Sequence, residues 1–141
     1  MNIKRITKFS KNTLRDLNLL LLQLSSRGYQ MDSNKFKKVL ENKNTYLIGI
    51  YDSNTIIGTA TLVSVNQITG NKGYVEDVVV DEKYRGHGLG KKIMFEIITV
   101  AKKLKIFRLE LKSELYRTAG NNLYQNLGFK KIEANVYQLK L

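Results

Sequence analysis

One stretch restricts the fold of this chain more than any other: a valine-rich strand that runs into a glycine-rich turn and straight on into a helix. Val75-Glu76-Asp77-Val78-Val79-Val80 reads as a buried strand, Arg85-Gly86-His87-Gly88-Leu89-Gly90 as the turn. Beyond it Leu89, Ile93, Ile97, Val100 and Leu104 recur at helical spacing, with Lys91, Lys92, Lys102 and Lys103 mostly opposite. Three glycines permit positive φ and let a ligand approach the backbone closely. The first-turn N–H groups of the helix then point outward, where the macrodipole favours an anion. A diphosphate is the natural guest for such a turn.

Two familiar phosphate loops fail on spacing. A P-loop needs four residues between its glycines and a Lys-Ser/Thr pair. Here three residues separate Gly86 from Gly90, and Lys91 is followed by Lys92. A dinucleotide fingerprint needs Gly-x-Gly-x-x-Gly near the start of a βαβ unit. This turn is Gly-x-Gly-x-Gly, and it lies past mid-chain.

The remainder reads as alternating elements of one domain over residues 1–141, with neither a proline nor a linker to divide it. Residues 2–8 predict a strand. Ser10 caps a helix to about Ser25 that carries Leu14, Leu17, Leu20, Leu21 and Leu24 on one face. Asp32 caps a shorter helix through about Leu40. Tyr46–Tyr51 and Thr55–Val65, joined at Asp52-Ser53-Asn54, predict a hairpin. Asn66–Lys72 reads as a polar loop and Gly73–Val80 as the next strand. Ile106–Leu111 predicts a further strand, Tyr116–Leu127 a helix ending at Gly128, and 129–133 and 135–140 two closing strands. The sum is an α/β class fold, α+β in the sense of one central mixed sheet with four helices around it.

Composition removes several functional classes. There is no cysteine and one histidine, so a thiolate nucleophile, a disulfide framework and a cysteine-bound zinc are excluded, and no metal site is expected. The N-terminus lacks the apolar run of a signal peptide, and Leu19-Leu20-Leu21-Leu22 is too short to cross a bilayer, so a soluble cytoplasmic protein with no membrane partner is expected. Lys plus Arg number 24 against 12 Asp plus Glu, a formal charge of +12. That excess suits a nucleic acid or polyphosphate partner. The lysines are scattered, with no run of five, which fits solvated surface charge better than a nucleic-acid face.

The pattern Arg85-x-x-Gly88-x-Gly90, preceded by Glu76-Asp77-Val78-Val79-Val80 and followed by Asn122-Leu123-Tyr124-Gln125-Asn126-Leu127-Gly128-Phe129, resembles the GNAT superfamily of acyl-CoA-dependent N-acetyltransferases, in the manner of its uncharacterised bacterial members. The resemblance covers about residues 73–137 and implies a mostly antiparallel sheet that splays at the cofactor site. It also implies acetyl transfer from acetyl-CoA, as cosubstrate, to a small-molecule or peptide amine. In that scheme the backbone of Val78, Val79 and Val80 meets the acetyl and pantetheine groups, with an N–H serving as oxyanion donor. Arg85, Gly86, His87, Gly88, Leu89, Gly90 and Lys91 meet the pyrophosphate. Tyr124 becomes the general acid. On its helix Arg117, Gly120, Asn121 and Tyr124 share a face, so Arg117 and Asn121 are candidates for binding CoA or acceptor. Glu76, or else Asp77, is the candidate base; strand alternation sends the two to opposite sides, so at most one faces the acceptor. The Glu-Asp-Val-Val-Val stretch is also similar to glucosamine-phosphate N-acetyltransferases. A non-catalytic acyl-CoA-binding module and a homodimer remain open.

Overall fold

A computed structural model describes residues 1–141. The chain runs β1 (Asn2–Arg5), α1 (Lys11–Leu24), α2 (Ser33–Glu41), β2 (Thr45–Asp52), β3 (Thr55–Gln67), β4 (Gly70–Val80), α3 (Leu89–Lys103), β5 (Arg108–Glu110) and α4 (Thr118–Asn126). The five strands form one sheet in chain order, antiparallel except for the parallel β4–β5 pair.

The helix starts follow local chemistry. Ser10 Oγ accepts from the Thr13 N–H at 3.0 Å and Asp32 Oδ1 from Lys35 at 2.7 Å, each satisfying a first-turn donor. Gly128, at φ +91°, ends the turn after α4.

The sheet carries apolar side chains on both faces. Leu17 and Leu20 of α1 and Phe36 of α2 pack with Ile6, Leu47, Ile56 and Val79 on one side. Leu89, Ile93, Met94, Ile97 and Ala101 of α3 pack with Ile48, Ile50, Ile57, Leu62 and Val75 on the other. Side chains as enclosed as Phe36 and Ile97 contribute roughly 1.5–3 kcal/mol each by leaving water. A polar tie enters the first layer: Asp16 is 5% exposed, and its Oδ2 accepts the Ile56 N–H at 3.0 Å while Oδ1 receives Arg15. It fastens α1 to the start of β3.

Four sequence expectations need correction. The first strand stops at Arg5, short of Lys8, because its ladder with β2 ends at Arg5↔Ile48. Asn66–Lys72 is the tip of a β3–β4 hairpin, with Asn66↔Asn71 and Gln67↔Gly70 paired around Ile68-Thr69. Backbone pairing needs no apolar side chains at a solvated tip. The strand expected over Ile106–Leu111 narrows to Arg108–Glu110. Segments 129–133 and 135–140 form no strand: Phe129 N–H donates to the Tyr124 carbonyl, and beyond it no backbone group finds a ladder partner in this chain. No helix is long and apolar enough to cross a membrane.

Candidate active site

The site lies where two neighbouring strands part. β4 pairs with β5 only through Lys72↔Arg108, Gly73↔Leu109 and Tyr74↔Glu110. Beyond that rung, 75–78 and 111–114 diverge and a cleft of about 220 Å³ opens between them. Leu24 of α1 and Arg117 and Tyr124 from the α4 region close its sides.

On the other side of β4 the ladder is interrupted. Thr61 faces Glu76 and Thr59 faces Val79, so Ala60 alone opposes Asp77 and Val78. This is a β-bulge, and Asp77 takes it up with φ +53°, a left-handed conformation that Asp tolerates better than most residues. The extra residue shifts the faces of the strand. Val75, Val78 and Val80 pack toward α3, whereas Val79 is buried against α1 and α2. It also corrects the expectation that strand alternation parts Glu76 from Asp77: both residues line the cleft.

The electrostatics follow from that crowding. Both residues are exposed, and both carboxyl groups are raised above the ordinary carboxylate range. For Glu76 partial desolvation is the main cause and the Asp77 charge adds to it, while Lys112 pulls the other way. Asp77 is raised by desolvation. The Tyr124 hydroxyl is raised by burial and lowered by Arg117. Its ring packs edge-on against Phe129, 6.1 Å between centroids, and its hydroxyl bonds to no protein group. Perturbed groups of both kinds in one cleft are a common sign of a reactive site.

The glycine turn is fixed by its flanks. Tyr84 Oη donates to Asp52 at 3.0 Å, the Glu82 N–H to Gln23 at 2.9 Å, and Arg85 Nε to the Val80 carbonyl at 3.0 Å. His87 is exposed, with Nδ1 3.2 Å from the Tyr84 carbonyl. Gly86 and Gly88 take φ +82° and +71°; Gly90 does not, which corrects the reading of all three as conformational glycines. A Cβ at Gly90 would stand 3.1 Å from Leu123 Cδ2, so its role is to let α3 and α4 approach. From Gly86 to Lys91 no backbone N–H donates within the protein; the first helical bond is Lys92 to the Gly88 carbonyl. A row of free donors at a helix N-terminus fits a diphosphate.

Two candidate side chains have protein partners. Arg117 Nη2 donates to the Leu24 carbonyl, which holds the end of α1 against α4. Asn121 Nδ2 donates to the carbonyls of Glu114, at 3.1 Å, and Leu115. Lys112, Ser113, Glu114 and Leu24, absent from the sequence candidates, line the cleft. Only the β4–β5 register could have revealed the first three, and no local motif encodes it.

Residues 14–129 match the acetyltransferase (GNAT) family. This chain belongs to the GNAT family. Among its relatives is a glucosamine 6-phosphate N-acetyltransferase of Trypanosoma brucei brucei, 33% identical over 81 residues, 55% of this chain and 53% of that protein. The chain spans about half the length of the first curated relatives it matches. Two solved structures share the GNAT fold. An aminoglycoside acetyltransferase from an uncultured soil metagenomic sample, in complex with sisomicin, superposes with TM-score 0.84 at 18% identity, covering 99% of this chain and 96% of that one. The glucosamine-6-phosphate N-acetyltransferase of Arabidopsis thaliana does so with TM-score 0.81 at 20% identity, covering 99% of each.

Proposed function

We propose that this chain transfers an acetyl group from acetyl-CoA to a primary amine by direct attack in a ternary complex. One observation carries the reading: Glu76, Asp77 and Tyr124 meet in a single cleft, on a strand that leads into the free N–H row of Gly86–Lys91. That row fits a diphosphate in charge and geometry, and acetyl-CoA supplies an activated thioester carbon and a thiol leaving group. The backbone of Val78–Val80 and residues Arg85–Lys91 are assigned to it. Arg117 and Asn121 act more simply by shaping the cleft through the bonds they already make.

The acceptor reaches the site as an ammonium, with a pKa of about 10.4 if lysine-like. Glu76 or Asp77 accepts the proton that nitrogen must lose, directly or through water, and the raised carboxylates are better matched to that task than ordinary ones. As the C–N bond forms and the C–S bond breaks, the Tyr124 hydroxyl donates a proton to the departing sulfur. From about 10 for a tyrosine to about 8.5 for a thiol this is uphill by roughly 2 kcal/mol, more with burial of the hydroxyl and less with Arg117 nearby.

A narrower reading is an amino-sugar phosphate acceptor, favoured by the trypanosomal relative and by Lys112, a cation in the same cleft. An acceptor screen of amines, amino sugars, amino-sugar phosphates and lysine peptides, read by free thiol release, tests both. Thiol release with none of them, alongside binding of acetyl-CoA, would leave a binding module. No thermal stabilisation by acetyl-CoA or CoA would overturn the donor assignment itself.

A further inference from the structure

The cleft assigned above to a primary amine already contains one. Of the chain's lysines, Lys112 alone lines it. The ion pairs of the protein belong to Arg15, Lys72 and Arg108, so the Lys112 ammonium is unclaimed. Its direction follows from its neighbours. Leu109 and Leu111 pack into the layer beneath α3, so an extended backbone turns Lys112 to the opposite face, where Leu24 packs at the end of α1. Glu76 senses its charge across the opening, which holds that carboxyl lower than burial and Asp77 would leave it. A flexible four-carbon stem lets the amine sweep a cavity of only about 220 Å³, whose walls also carry Tyr124.

We propose that Lys112 is itself an acetyl acceptor, modified by its own active site when no other amine occupies the cleft. The inference rests on the acetyl-transfer reading and adds to it a modification site within this chain. The Lys112 ammonium loses one proton to Glu76, directly or through water, and Nζ then attacks the thioester carbon. The C–N bond forms and the C–S bond breaks; Tyr124 hands a proton to the sulfur and is reprotonated by the second proton that the nitrogen sheds. The products are one amide, one free thiol and one proton passed on to solvent, so no further reactant is needed. The consequence is self-limiting. Acetyl-lysine carries no charge, so the cleft loses the cation that suits a phosphate-bearing acceptor, and Glu76 holds its proton more tightly.

The full chain, incubated with acetyl-CoA and no acceptor, is weighed intact and mapped by peptide mass spectrometry, beside a thermal melt with the same ligand. One acetyl group per chain should collect on Lys112, about tenfold or more faster than on exposed lysines such as Lys91 and Lys92, because only Lys112 is held at the site. The rate constant should not change with protein concentration. Tyr124→Phe should slow the labelling, and Lys112→Arg, which keeps the cation but removes the amine, should abolish it. A raised melting point with Lys112 unmodified overturns the proposal and leaves the donor assignment standing. Labelling of Lys112 at the pace of the exposed lysines, labelling indifferent to Tyr124→Phe, or a rate that climbs with protein concentration overturns it as well. A melting point unmoved by acetyl-CoA removes the donor assignment and this inference together.

Discussion

Replacing Gly88 by alanine tests the diphosphate cradle through a balance that either response of the loop must respect. Gly88 sits at φ +71° and ψ +11°, and a Cβ there meets nothing within 4 Å, so the penalty comes from backbone conformation alone. That penalty is about 1–2 kcal/mol for an alanine in the left-handed region. If the loop keeps its shape, the free protein melts lower and affinity for acetyl-CoA is unchanged. If the loop relaxes to negative φ, the free protein melts normally, the N–H row turns away, and affinity falls. The loaded protein needs the original shape in both cases, so its stability drops by the same amount. At about 3–4 °C per kcal/mol for a chain of this size, saturation with acetyl-CoA should leave Gly88→Ala melting roughly 3–8 °C below the parent. Gly90→Ala is the control. Its backbone is not left-handed, the helix gains about 1 kcal/mol in propensity, and the Cβ need only displace the end of Leu123. Its loaded melting point should stay within about 2 °C of the parent. Equal loaded melting points for Gly88→Ala and the parent would refute the argument, as would a drop for Gly90→Ala as large as that for Gly88→Ala.

Tyr124→Phe keeps the contact with Phe129 and removes only the hydroxyl; turnover should fall by about 100-fold or more with acetyl-CoA affinity unchanged, and an unaltered rate would take Tyr124 out of the mechanism. Glu76 and Asp77 have folded-state pKa values above their unfolded ones, so the native state holds the extra proton and stability declines as pH rises from the ordinary carboxylate range through the raised values. Glu76→Gln or Asp77→Asn should therefore melt higher than the parent at neutral pH, with the advantage vanishing in acid; lower melting at neutral pH would reverse the assigned sign. Asp16→Ala strands the Ile56 N–H and should cost about 2–3 kcal/mol in urea unfolding, without loss of acetyl-CoA binding in the protein that remains folded.

What the sequence disclosed depended on how local each signal is. Ser10, Asp32 and Gly128 act within one helical turn, so the helix boundaries they mark could be read directly. The turn at Arg85–Gly90 is likewise written in consecutive residues. The bulge at Asp77 is not, because one residue without an opposite number leaves no trace in composition and matters only once β3 is alongside. For the same reason Glu76 and Asp77 were legible as residues while their shared cleft was not. Arg117 meets Leu24 across 93 positions, a contact that no periodicity announces. The closing strands failed differently: residues 129–140 have the right alternation, but a strand also needs a neighbour, which the sequence of a single chain does not name.

The last rung between β4 and β5 has a wider consequence. At that point Lys72 is clamped by Glu110 at 2.9 Å and lies over the Tyr74 ring, while Gly73 leaves no room for a Cβ beside Leu109 Cδ2, 2.7 Å from where it would sit. The rung works like the rivet of a pair of shears. It sets how far the blades are joined, and therefore how deep the opening runs, independently of what either blade carries at its tip. Under the proposed function, residues that line the opening beyond the joint, such as Glu114 on the β5 side, are free to vary with the acceptor while the joint and the glycine turn stay in place. If the proposed function holds, the choice of acceptor can drift without disturbing the grip on the donor.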